Sequence, residues 1–207
     1  MSIQKAYNIW ADQYDTNQNK TRDLDQIITR QVLEKYNFSD VIELGCGTGK
    51  NTKFLLKKAR GIVGIDFSEE MLKKAKAKFK NQNVVFQQND LTLDWNLPDA
   101  SADLITCSLV LEHIQDLGDV FGQVYQKLQS GGIFFISELH PFKQYAGSKA
   151  RFETDNGTQV LQTYTHHISD FLNAAQENNL KLIELNEWFD EKTNGEIPRL
   201  ISFVFSK

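Results

Sequence analysis

The sequence predicts a doubly wound α/β fold built on a mostly parallel, seven-stranded sheet, and three observations carry that prediction. First, from Val41 onward, short runs of consecutive apolar residues (VIELG, GIVGID, NVVFQ, ADLITCSLV, GGIFFIS) alternate with segments of helical period. Strands that are apolar on both faces are those covered by helices on both sides, which is the environment of a parallel sheet. Second, two further strand-like runs, LKLIELNEWF and RLISFVFSK, close the chain around DEKTNGEIP. The Asn194-Gly195 pair favours a tight turn, so a C-terminal antiparallel hairpin should end the sheet. Third, 207 residues, 41% hydrophobic and 24% charged, without repeat or Ser/Gly-rich linker, suit one well-packed domain spanning 1–207.

Within 1–38, Ile3, Ala6, Tyr7, Trp10 and Tyr14 recur at helical spacing, as do Leu24, Ile27, Ile28 and Val32. They predict two N-terminal cap helices around the polar turn DTNQNKTRD. Residues 39–138 are the expected ligand-binding core. Its linking helices are expected over Gly49 to Lys58, over Glu69 to Lys80 with Ser68 as N-cap, and over Leu117 to Leu128. Over 139–168 the alternation stops, and roughly thirty polar and aromatic residues are long for a passive loop, so a substrate lid is expected there. Residues 169–207 hold a last helix, near Ile168 to Glu177, and the hairpin.

Composition narrows the function. A net charge of −4 offers no general attraction to nucleic acid or anionic lipid, which favours a small-molecule partner. Two cysteines, Cys46 and Cys107, are too few for a disulfide scaffold and suit a reducing, cytoplasmic setting. No signal-peptide pattern begins the chain and no stretch approaches the roughly 18 apolar residues of a membrane span.

The sharpest motif is Glu43-Leu44-Gly45-Cys46-Gly47-Thr48-Gly49, at the end of the first strand and the start of a helix. Alternate glycines let the backbone pass close under a ligand, and the helix start offers free N–H groups. Asp66 ends the second strand, where an acidic side chain can accept hydrogen bonds from both ribose hydroxyls. Together they imply a nucleoside-containing ligand. The spacing G-x-G-x-G is one residue tighter than the dinucleotide fingerprint, and Glu43 would repel a pyrophosphate while suiting a cationic amino-acid moiety.

These residues resemble the class I S-adenosylmethionine-dependent methyltransferases, particularly the small-molecule group that includes the quinone-biosynthesis enzymes. The resemblance runs from Tyr7 to Ser137 and implies a Rossmann-like fold with S-adenosyl-L-methionine as cofactor. VIELGCGTG is similar to the family's first motif, with Glu43, Gly45, Cys46 and Gly47 near the cofactor. GIVGIDFSEEMLKKAK is similar to the second, implying Asp66 on the ribose with Phe67 and Met71 beside it. NDLTLDW resembles the third, implying Asn89, Asp90 and Leu91 at the adenine. ADLITCSLVLEHIQD resembles the fourth, with Ser108 at the strand end and His113 at the following turn. YNIWADQYD resembles the leader, implying Tyr14 over the methionine end. The Asn/Asp-Pro-Pro-Tyr/Phe segment of amino-methylating nucleic-acid enzymes has no counterpart.

The expected activity is therefore methyl transfer to an oxygen, nitrogen or carbon of a small-molecule acceptor, by a monomer or homodimer. His113 and His140 are the candidate catalytic residues. Tyr145, Arg151, His166 and His167 are the candidate acceptor contacts within 139–168. Adjacent His166 and His167 would point to opposite faces of a strand, so no metal is expected. Two alternatives share the motif: a nicotinamide-dependent oxidoreductase and a non-catalytic S-adenosylmethionine binder.

Overall fold

A computed structural model describes residues 2–154, 157–190 and 197–207 and has the predicted architecture. In chain order the elements are α1 (Ile3–Trp10), α2 (Lys20–Leu33), β1 (Asp40–Leu44), α3 (Thr52–Leu55), β2 (Gly61–Asp66), α4 (Glu69–Lys78), β3 (Val84–Gln88) and β4 (Ala102–Ser108). There follow α5 (Gly118–Lys127), β5 (Leu128–Leu139), α6 (Pro141–Tyr145), β6 (Arg151–Thr154), β7 (Gly157–Val160), α7 (Ile168–Glu177), β8 (Lys181–Phe189) and β9 (Pro198–Ser206). Seven strands form one sheet in the order β3-β2-β1-β4-β5-β9-β8. The five from β1 to β5 are parallel, and β9 runs antiparallel to both β5 and β8. The expected Asn194-Gly195 turn between β8 and β9 lies outside the described residues.

Both faces of the sheet are buried, and consecutive strand residues feed opposite cores, as a period of two requires. Ile42, Ile105, Phe134, Phe203 and Phe205 pack with Val120, Phe121 and Val124 of α5 and Phe171 of α7. Their neighbours Val41, Leu104, Phe135 and Val204 pack on the other face with Ile28, Val32 and Leu33 of α2 and Phe54 and Leu55 of α3. Of the two helices expected as a cap, α2 is thus a layer helix. The cap is α1, fastened across the carboxyl ends of the strands: Gln4 Nε2 donates to the Phe67 carbonyl (2.8 Å) and Ser68 Oγ donates to Asn8 Oδ1 (2.6 Å).

Two expectations are corrected. The helix expected over Gly49 to Lys58 is regular only over Thr52–Leu55, because the chain must reach β2 at Gly61 within a few residues. The stretch 139–168 is not irregular throughout: His140 caps the short α6, with Pro141 in its first turn, and β6 pairs with β7 as a separate antiparallel ribbon. Elements of four or five residues are too short to show a period in sequence.

Candidate functional site

The carboxyl ends of β1, β2, β3 and β4, together with α1, enclose a cavity of about 620 Å³, of the size small-molecule sites occupy. Ten residues expected at the cofactor line it: Tyr14, Gly45, Gly47, Asp66, Phe67, Met71, Asn89, Asp90, Leu91 and Ser108. His113 lines it too.

The glycine turn divides its work. A Cβ on Gly45 (φ +65°) would stand 2.1 Å from Val110 Cγ2, so this glycine is required by the protein's own packing. On Gly47 (φ +52°) a Cβ would meet nothing nearer than Tyr14, at 4.0 Å, so the space beside it belongs to the cavity. Asp66 ties the turn to α4: Oδ2 accepts from the Gly47 N–H and Oδ1 from the Ser68 N–H, both at 2.8 Å. Burial raises its pKa to about 6, against the lowering effect of these N–H bonds. On the loop after β3, Asp90 Oδ1 accepts from Thr92 N and Oγ1. Buried Trp95, whose Nε1 donates to the Leu91 carbonyl (3.1 Å), anchors that loop beneath the cavity.

Opposite the turn, the segment after β4 bends sharply. Leu109 adopts φ +57°, a strained conformation for a branched side chain, and the N–H groups of Val110 and Leu111 both donate to Glu138 Oε1 at 2.8 Å. Burial pushes Glu138 up to about 8. Tyr7 of α1 reaches His113, its hydroxyl 2.8 Å from Nε2, while Nδ1 lies 3.1 Å from the Gln162 carbonyl. A carbonyl only accepts, so Nδ1 carries the proton and Nε2 accepts from Tyr7. Burial lowers the His113 pKa, which preserves this neutral form.

The other expected residues lie elsewhere. Glu43 and Cys46 do not line the main cavity but a small one, of about 40 Å³, behind the turn. Glu43 accepts from Thr52 Oγ1, and burial pushes it up to about 8, so it is no free anion there. His140 is buried away from the cavity, with Nε2 2.9 Å from Glu187 Oε1 and Nδ1 accepting from the Phe142 N–H. His166 is buried with Nε2 against the Leu111 and Ile114 carbonyls, at 3.1 and 2.7 Å. His167 caps α7 and pairs with exposed Tyr145. Arg151 lines a separate side cavity.

Sequence reasoning missed Tyr7, Gln162, Glu138 and Arg22. Arg22 of α2 is 95% buried, lies 4.3 Å over the Tyr14 ring and lines the small cavity, where Nε and Nη1 have no hydrogen-bond partner among the described residues. Its position seven residues after Asp15, in a turn read as merely polar, gave no periodic signal.

These features define a doubly wound α/β protein with a ligand cavity at the carboxyl ends of its parallel strands. Residues 42–136 match the family described as a methyltransferase domain. The chain is 27% identical to an uncharacterized methyltransferase of Emericella nidulans over 221 residues, 88% of this chain and 77% of that protein. It is 27% identical to the demethylmenaquinone methyltransferase of Lactococcus lactis over 220 residues, 98% of this chain and 82% of that one. Three further curated relatives are matched over only 38% to 53% of their length. A solved S-adenosylmethionine-dependent methyltransferase from Clostridium acetobutylicum superposes with a TM-score of 0.72 at 20% identity, covering 98% of this chain and 97% of that one, which shows the shared fold. The chain is thus similar to S-adenosylmethionine-dependent methyltransferases, in sequence over residues 42–136 and in fold over most of its length. No helix among the described residues is long and apolar enough to cross a membrane.

Proposed function

We propose that this chain transfers the donor's methyl group to a small-molecule acceptor, with the 620 Å³ cavity as the donor site. The observation that carries the reading is Asp66, a buried carboxylate tied to the glycine turn on one oxygen and to α4 on the other, facing a cavity of ligand size. Each oxygen retains a lone pair for a ribose hydroxyl. Asp90 and the Leu91 backbone would hold the adenine. Ser108 and Tyr14 would flank the methionine end, and the unpaired N–H groups of Arg22 suit its carboxylate.

When bound, the donor supplies an electrophilic methyl on a sulfonium. The protein's task is then to align the acceptor, exclude water and remove a proton where one must leave. Tyr7 and His113 are arranged for the last step. A proton leaving the acceptor passes to Tyr7 Oη while the Tyr7 proton passes to His113 Nε2. The resulting imidazolium is held at Nδ1 by the Gln162 carbonyl.

Release of S-adenosylhomocysteine should be followed with panels of small hydroxy acids, phenols and amines, alongside peptides and RNA. Turnover confined to small molecules is expected. Turnover of macromolecules alone overturns the reading.

A further inference from the structure

Beside the donor site lies a second cavity of about 460 Å³, walled by α1, the segment after β4 and residues 146–151. Tyr7, Tyr14 and Leu109 line both cavities, so an occupant of the second lies across two tyrosines from the donor site. Four cationic side chains line it, Arg22, Lys149, Arg151 and Arg199, against one carboxylate, Glu112. In a chain of net charge −4 this is a local excess that the composition does not explain.

The four cations are not equivalent. Arg199 is closed on itself: Nε donates to Asp190 Oδ1 (2.6 Å), Nη2 to Asp190 Oδ2 and Nη1 to Thr21 Oγ1. Arg22 is buried, and its Nη2 donates to the Asn17 carbonyl (2.8 Å) and to Asn17 Oδ1 (2.7 Å). Lys149 and Arg151 are exposed, and their side chains have no hydrogen-bond or ion-pair partner among the described residues. They nonetheless sit on a fixed stretch of backbone, because the Ser148 N–H donates to the Lys143 carbonyl and the Leu161 N–H to the Ala150 carbonyl, both at 2.9 Å. Glu112 does little to neutralise them: it is buried, and desolvation pushes its pKa up to about 7.

We propose that the second cavity is the acceptor site and that it takes an anionic acceptor, whose carboxylate or phosphate is gripped by Lys149 and Arg151 while its nucleophilic atom lies against Tyr7. The assignment rests on the methyl-transfer reading above. Two exposed cations lining one cavity suit a charged group with several acceptor oxygens, and the guanidinium of Arg151 can meet two of them at once. The cavity volume limits the acceptor to a small molecule or the end of a flexible arm.

The test uses the full chain saturated with S-adenosylhomocysteine, titrated calorimetrically at low ionic strength with glutarate, inorganic phosphate and neutral glutaramide. At least one anion should bind and the diamide should not. Binding of glutarate but not phosphate, or the reverse, identifies the group and supports the proposal either way. The double variant K149Q/R151Q should weaken anion binding at least tenfold while S-adenosylhomocysteine affinity stays within twofold. Equal binding of the diamide, no anion binding, or an unaffected double variant overturns the anionic acceptor and leaves the donor site standing. Failure of S-adenosylhomocysteine itself to bind overturns the donor-site reading, and this inference with it.

Discussion

Asp66→Asn probes the ligand site with little disturbance of the fold. In the native protein the two carboxylate oxygens each accept one backbone N–H, from Gly47 and from Ser68, at 2.8 Å. Asparagine offers an acceptor to only one of them and turns an amide N–H₂ toward the other. If the same oxygens receive the ribose hydroxyls, one charge-assisted bond is lost and the other becomes neutral. Bonds to a charged group contribute about 1.5–3 kcal/mol, so donor affinity should fall by about 2–3 kcal/mol, roughly 30- to 150-fold. The variant should nevertheless stay folded. Burial raises Asp66 from 3.8 to about 6, so above that pH its charge costs the empty protein stability, and removing it offsets the lost N–H bond. The same shift predicts that native affinity declines on acidification, by up to tenfold per pH unit below about 6, and that the variant lacks this dependence. Calorimetric titration with S-adenosylhomocysteine between pH 5 and 8, beside thermal melts, tests both statements. A variant that melts like the parent and binds within threefold of it refutes the assignment.

Gly47→Ala places a methyl in the cavity at a φ of +52°, and should cost at least tenfold in donor affinity by calorimetry. His166→Ala removes a ring that donates to the Leu111 and Ile114 carbonyls from a buried position; it should lower unfolding free energy by about 1–3 kcal/mol in urea titrations. Tyr7→Phe keeps the ring but not the proton path, so kcat should fall about 10- to 100-fold for an acceptor that must lose a proton, a larger loss than that in donor affinity. Glu138 is raised from 4.5 to about 8, so the folded state binds its proton more tightly and stability declines as pH rises from about 4.5 through 8. Glu138→Gln keeps an acceptor for Val110 and Leu111; melts at pH 7 and 9 should show it spared a loss on the order of 1 kcal/mol that the parent suffers.

What could be read in the sequence was what repeats or what is chemically unusual. The strand runs were legible because both faces are buried, leaving continuous apolar stretches such as ADLITCS and GIVGID. The main cavity was legible because the glycines and Asp66 stand at strand ends, where topology alone brings them together. The histidines of 139–168 lie outside the main cavity for a physical reason that local sequence does not show. An imidazole that caps α6, as His140 does, or donates to two carbonyls, as His166 does, has the same residue type and polar neighbours in sequence as one that meets substrate. Only the partner tells them apart, and partners such as Glu187, 47 residues from His140, leave no local signal. Glu138 was hidden in the opposite way, as the polar end of an otherwise apolar strand whose side chain turns back to hold the bend at Leu109.

The role of α1 follows from the same logic. A helix of eight residues cannot hold its shape in water unaided, since nucleation costs more than so few hydrogen bonds return. Its order therefore comes from docking. The docking contacts are Gln4 on the Phe67 carbonyl, Asn8 on Ser68 and Tyr7 on His113. Phe67 and His113 line the main cavity, as do Gln4 and Tyr7 themselves. Two of the contacts that dock this helix, those of Gln4 and Tyr7, thus also close the cavity and set the tyrosine against the histidine. Helix docking and site assembly are one equilibrium, and a ligand that fills the cavity stabilises both together.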